Sequence, residues 1–167
     1  MATTINFPPS PTIGDTYTYI STTYEWDGTR WFPQGTDNTI YSESYALSDE
    51  DTDLTTGTAK LKFRLPFDMT PTDLRIGVGT APTGSTIIVD INKAGATTIN
   101  NKLSIDASEK TSVTAAVPFD FGGTGHTDWY DDTEITVDID QVGSTIKGAG
   151  LKLTLYYTKG ATPFEPL

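Results

Sequence analysis

Residues 134–155 read EITVDIDQVGSTIKGAGLKLTL. Ile135, Val137 and Ile139 alternate with Glu134, Thr136, Asp138 and Asp140, and Leu151, Leu153 and Leu155 alternate with Lys152, Thr154 and Tyr156. Successive side chains of a strand point to opposite faces, so each run puts an apolar row on a core and a polar row in water. Gly143, Gly148 and Gly150 punctuate the stretch between them. Two half-buried strands joined by a small, polar connection set the pattern that the rest of the chain repeats.

Working outward, Leu61, Phe63 and Leu65 alternate with Lys60, Lys62 and Arg64, which places the start of a main domain near Ala59. Leu74-Arg75-Ile76-Gly77-Val78 alternates again, and Thr86 to Ile91 is nearly continuous apolar, as a central strand would be. Asn92-Lys93-Ala94-Gly95 reads as a turn, residues 96–99 and 102–105 as short strands, and Thr111–Val117 as another strand. The pattern predicts about eight strands separated by turn clusters, with no capped helix. The expected fold is all-β, an antiparallel β-sandwich of jelly-roll type. Ahead of it, residues 1–36 form a distinct section rich in proline and aromatics. Tyr24-Glu25-Trp26 meets the hairpin signal Asp27-Gly28 before Thr29-Arg30-Trp31-Phe32, which predicts a small β-hairpin module. Residues 37–58 read as a connecting segment, 59–159 as the jelly-roll domain and 160–167 as a C-terminal tail.

Composition narrows the function. The 167 residues suffice for one domain with a real core, and Thr makes up roughly one residue in five, which suits pleated, half-exposed surfaces. The net charge of −11 repels phosphate and argues against nucleic acid as a partner. With no cysteine, the chain has neither disulfides nor thiolate metal sites. The start, MATTINFPPSP, lacks the features of a signal peptide, and no run is long and apolar enough for membrane insertion.

No catalytic constellation stands out. His126, the sole histidine, lies in a Gly-rich stretch with no nucleophile elbow nearby. His126, Trp129 and Tyr130 together form a candidate glycan or partner loop, since aromatic faces stack on sugar rings, with loop packing or a subunit contact as the simpler reading. Asp49-Glu50-Asp51-Thr52-Asp53 starts like a calcium loop, but Leu54 and Lys60 stand where such a loop needs Gly and Glu, so a solvated acidic turn is the simpler reading. Gly77-Val78-Gly79-Thr80 with Gly84 leads into a strand and not a helix, so it is a turn and not a phosphate cradle. Asp138 and Asp140 belong on the outer face of their strand. No metal ion or cofactor is called for. Tyr24, Trp26, Trp31 and Phe32 are candidate assembly contacts, with a local mini-core shared with Tyr17 and Tyr19 as the alternative.

Two resemblances bear on identity. PPSPTIGDTYTY at 8–19 followed by YEWDGTRW at 24–31 looks like a short module that recurs in structural proteins of tailed bacteriophages. LTTGTAKLKFRLP (54–66), TAPTGSTIIVDINKAG (80–95), KLSIDASEKTS (102–112) and DDTEITVDIDQVGSTIKGAGLKLTL (131–155) resemble, in order, a second phage module with a jelly-roll fold. GGTGHTDWY at 122–130 departs from that pattern. The resemblance implies a non-enzymatic virion structural protein, made in the host cytoplasm and placed on the virion surface. Its expected partners are other virion proteins and further copies in a homotrimer. A capsid decoration, or cement, protein is the first expectation, and a short tail-fibre or receptor-binding protein that contacts host glycans is the alternative.

Overall fold

The computed structural model describes residues 5–20, 22–26, 28–34, 39–122 and 129–159. They fall into two compact units, one drawn from residues before Thr39 and the other spanning Thr39–Lys159.

The first unit is a three-stranded antiparallel meander of β1 (Thr16–Tyr19), β2 (Thr22–Trp26) and β3 (Trp31–Gln34). Tyr17 lies opposite Tyr24, and Trp26 opposite Trp31. Gly28 takes a φ of +97°, which is why the turn after Trp26 holds glycine.

The second unit contains β4 (Tyr41–Ala46), β5 (Gly57–Arg64), β6 (Met69–Gly77), β7 (Ile87–Lys93), β8 (Ala96–Thr97), β9 (Leu103–Ile105), β10 (Glu134–Gln141) and β11 (Lys152–Lys159). One sheet has the order β4-β11-β6, and the other has β5-β10-β7, with β8 and β9 both pairing with β7. All the pairings are antiparallel. From β4 to β7 the chain changes sheet at every step. This is an all-β antiparallel sandwich. Ile135, Val137 and Ile139 of β10, Ile87, Val89 and Ile91 of β7, Leu103 and Ile105 of β9, Leu74 and Ile76 of β6, and Leu153 and Leu155 of β11 share one buried core.

The stretches Gly79–Gly84 and Thr145–Gly150 interlock beside this core. Gly79 and Thr80 donate backbone N–H bonds to the Ala149 carbonyl, and Thr83 donates to that of Ile146 (2.9–3.1 Å). A Cβ on Gly143 would stand 1.8 Å from the Ile146 carbonyl oxygen, so only glycine fits there. The Gly-rich stretch after β6, read from sequence as a turn, is a seam between two loops.

Two expectations need correction. Residues 37–58 are not simply a connection, because β4 lies within them and pairs along β11 from Ala46 to Tyr41. Its YSESYA sequence hid it: as an edge strand it half-buries only Tyr41 and Tyr45. Residues 111–117 do not form a strand. Ser112–Thr114 make one 3-10 turn, capped by the Thr111 hydroxyl on the Val113 N–H. Ser112 Oγ accepts the Ile76 N–H (3.0 Å), and Asp106 accepts that of Ala116 (2.8 Å). The local Thr111 cap competes with a strand ladder, and the bond to β6 holds the turn in place. Val113 and Val117 are left 64% and 59% exposed.

The β7–β8 hairpin has a two-residue loop, Ala94-Gly95, with φ of +49° and +83°. Positive φ at both positions defines the type I′ turn, which favours Asn first. Ala94→Asn should therefore raise the unfolding free energy by about 0.5–1 kcal/mol. A urea midpoint that stays unchanged or falls would contradict this.

Glu43 projects from the inward face of β4, where the Tyr45 and Tyr157 hydroxyls donate to its carboxylate at 2.5 and 3.1 Å. Burial first, and then the bond to Glu43, push both phenols above the ordinary 10.0. The folded state thus favours the protonated phenol, and this stabilisation is complete below pH 10 and lost as pH climbs above it. Unfolding free energies in a series crossing that pH should show an alkaline fall that Tyr45→Phe makes shallower.

Candidate functional site

The aromatic residues of the first unit converge on a ring that sequence reasoning did not single out. Phe7 stacks on Trp31 (centroids 5.2 Å apart, planes 7° from parallel) and meets Tyr17 and Tyr24 edge to face at 5.7 and 5.0 Å. Trp26 lies 5.7 Å from Trp31. Alternation on β1–β3 puts Tyr17, Tyr24 and Trp31 on one face, and Phe7 from the preceding segment covers them. The expected assembly contacts Tyr24, Trp26 and Trp31 thus build a local mini-core in which every ring is half-buried. The Phe32 side chain lies outside what is described. Ile13 and Ile20 are the large apolar side chains this unit exposes, at 79% and 83%.

The candidate loop at 122–130 divides. His126 lies outside the described residues. Trp129 is 1% exposed, and its carbonyl accepts the Met69 N–H at 2.8 Å. Tyr130, the next residue, is 57% exposed. With one ring buried and the other exposed, the two do not form one stacking platform. Trp129 is a core residue, which corrects its assignment as a glycan contact. Of these two rings, that of Tyr130 is the exposed one.

The acidic turn is held from both sides. Leu54 is buried, Lys152 pairs with Glu50, and the Asp49 carbonyl accepts the Gly150 N–H at 2.9 Å. Among the described residues, no three acidic or histidine side chains converge as a metal site would need. Nor is any helix long and apolar enough to cross a membrane.

The outer face of the β5-β10-β7-β9 sheet carries the densest polar array. Asp138 lies directly opposite Asp90, an arrangement that would repel if left bare. Asp138 accepts the Ala59 N–H (2.7 Å) and the Asn92 amide (3.1 Å). Asp90, 6% exposed, accepts the Thr97 hydroxyl (2.7 Å) and pairs with Lys102 at 2.8 Å. Lys102 also reaches Asp140 at 2.6 Å. Hydrogen bonds to Asp140 and Asp90 outweigh the cost of burial and hold the ammonium well above its ordinary range. Asp138 and Asp140 lie on the outer face, as alternation required, but they are bonded within the sheet and not merely solvated. Asp90 escaped notice because Thr86–Ile91 looks like an unbroken apolar run; its outward position follows from the period of two.

Comparison with protein-family models, with curated proteins and with solved structures gave no match to this chain.

Replacing Trp129 separates the two roles. As a core residue, Trp129→Ala should cost about 3–5 kcal/mol of folding stability, measured by chemical unfolding. A ligand contact would instead lose binding with the unfolding transition unmoved.

Proposed function

We propose that this chain is a non-enzymatic structural protein of a tailed-phage virion, acting as a decoration protein on the capsid. The observation that carries this reading is the strand order. We read β4-β11-β6 opposite β5-β10-β7-β9, with the Lys110–Thr114 segment beside β6, as a strand order that supports a jelly roll. This reading of the strand order agrees with the fold that the sequence resemblance to phage modules implies. Fold alone never fixes function, so the remaining support comes from the surface. The outer-face carboxylates are engaged by Lys102, Asn92, Thr97 and backbone, and none is left as a poised acid–base pair. A separate aromatic unit ahead of the sandwich suits an anchor onto a shell or a neighbouring copy, with a homotrimer as the expected assembly.

A second reading, a short tail-fibre or receptor-binding protein, is favoured by the exposed ring of Tyr130 at the end of the stretch that departs from the pattern of the resemblance.

Antibody labelling of intact particles separates the two, with label over the head expected and label confined to the tail supporting the second. Heads that lack the protein should regain resistance to heat when it is added back. Heads that neither bind it nor change their resistance would refute decoration.

A further inference from the structure

One row of the outer face remains without a role. Gln141 of β10, Ile88 of β7 and Ser104 of β9 are cross-strand neighbours in register and line the floor of a surface groove of about 420 Å³. Thr86 and Asp106 line one part of it, Asn100, Asn101 and Lys102 another, and the exposed Val117 stands at its rim. The volume falls within the range of small-molecule sites, about 300–1,000 Å³.

The chemistry of the lining selects a ligand class. Its charges are already engaged: Lys102 by Asp90 and Asp140, and Asp106 by the Thr86 hydroxyl at 3.3 Å and the Ala116 N–H at 2.8 Å. An ionic ligand would have to break these pairs. What the groove offers instead is amides and hydroxyls, which both donate and accept. The Gln141 amide is oriented by donating to the Thr86 carbonyl at 2.7 Å, which leaves its oxygen as an acceptor. The Ser104 hydroxyl has no hydrogen-bond partner among the described residues. Ile88 and Val117 add apolar surface between these polar groups. Paired donor–acceptor groups beside small apolar patches match a sugar ring, whose hydroxyls also donate and accept and whose C–H faces are apolar. The geometry points to a binding site for a neutral carbohydrate on the outer face of β10-β7-β9, distinct from the loop at 122–130. The site does not depend on where the protein sits in a particle.

The test is amide NMR of the full chain titrated with lactose, cellobiose and maltose, with inorganic phosphate and glucuronate as anionic comparisons. At least one neutral disaccharide should give saturable shifts at the Ile88 and Ser104 amides and at the Gln141 side-chain amide. Gln141→Ala should weaken that binding about tenfold while lowering the melting temperature only slightly, by the loss of the bond to the Thr86 carbonyl. Ser104→Arg, which fills the groove from a different strand, should abolish it, and serves as the deciding variant if Gln141→Ala proves unstable. No shift with any of the three sugars, shifts with the anions alone, or binding indifferent to both substitutions would overturn the site. Because the assay uses isolated protein, its failure leaves the virion reading standing.

Discussion

Two sheets form a sandwich only when each turns one apolar row inward, and β10 and β11 are where this chain meets that demand. Each is flanked on both sides by partner strands, so their rows, Ile135-Val137-Ile139 and Leu153-Leu155-Tyr157, form the middle of the shared core. Each fully buried aliphatic side chain of this kind contributes about 1.5–3 kcal/mol. A slip of one residue in either strand would expose its whole row, so register is set by burial. The interlocked Gly79–Gly84 and Thr145–Gly150 loops then join the end of β6 to the start of β11.

A sandwich of short strands leaves edges, and this one closes them by several devices. Along β6, Met69 donates to Trp129 and Val78 to Lys110, Asp73 accepts the Leu74 N–H at 2.8 Å, Ser112 accepts that of Ile76, and Pro71 has none to offer. Edge strand β4 turns Glu43 inward between two tyrosines, and β5 alternates Lys60, Lys62 and Arg64 outward. Such devices hinder strand-by-strand aggregation, a standing risk for an exposed sheet edge.

Charge is managed in the same local way. Five of the cations in the second unit sit against carboxylates: Lys62 on Glu134, Arg64 on Asp132, Arg75 on Asp73, Lys102 on Asp90 and Asp140, and Lys152 on Glu50. Most of these pairs are exposed and add little to stability. Their larger effect is on the field around the protein, since they leave the excess negative charge unopposed at the surface and favour solubility over contact with phosphate.

The sequence by itself determined the strand class, the inward rows and the aromatic hairpin, because alternation and Gly-containing turns act over a few residues. It also placed Asp138 and Asp140 on the outer face. It could not reveal β4, whose YSESYA composition resembles a polar loop until β11 supplies its partner. It misread Thr111–Val117, whose backbone is captured by the nearby Asp106 and by the Ser112 bond to β6, of which the second joins residues distant in sequence. Trp129 and Tyr130 looked like one platform, and only the Met69 bridge sends one ring into the core and the other to solvent. The groove along Gln141, Ile88 and Ser104 joins three strands spread over about a third of the chain. Tertiary structure alone decided these features, because each depends on register between strands, and register is set by what the whole core buries.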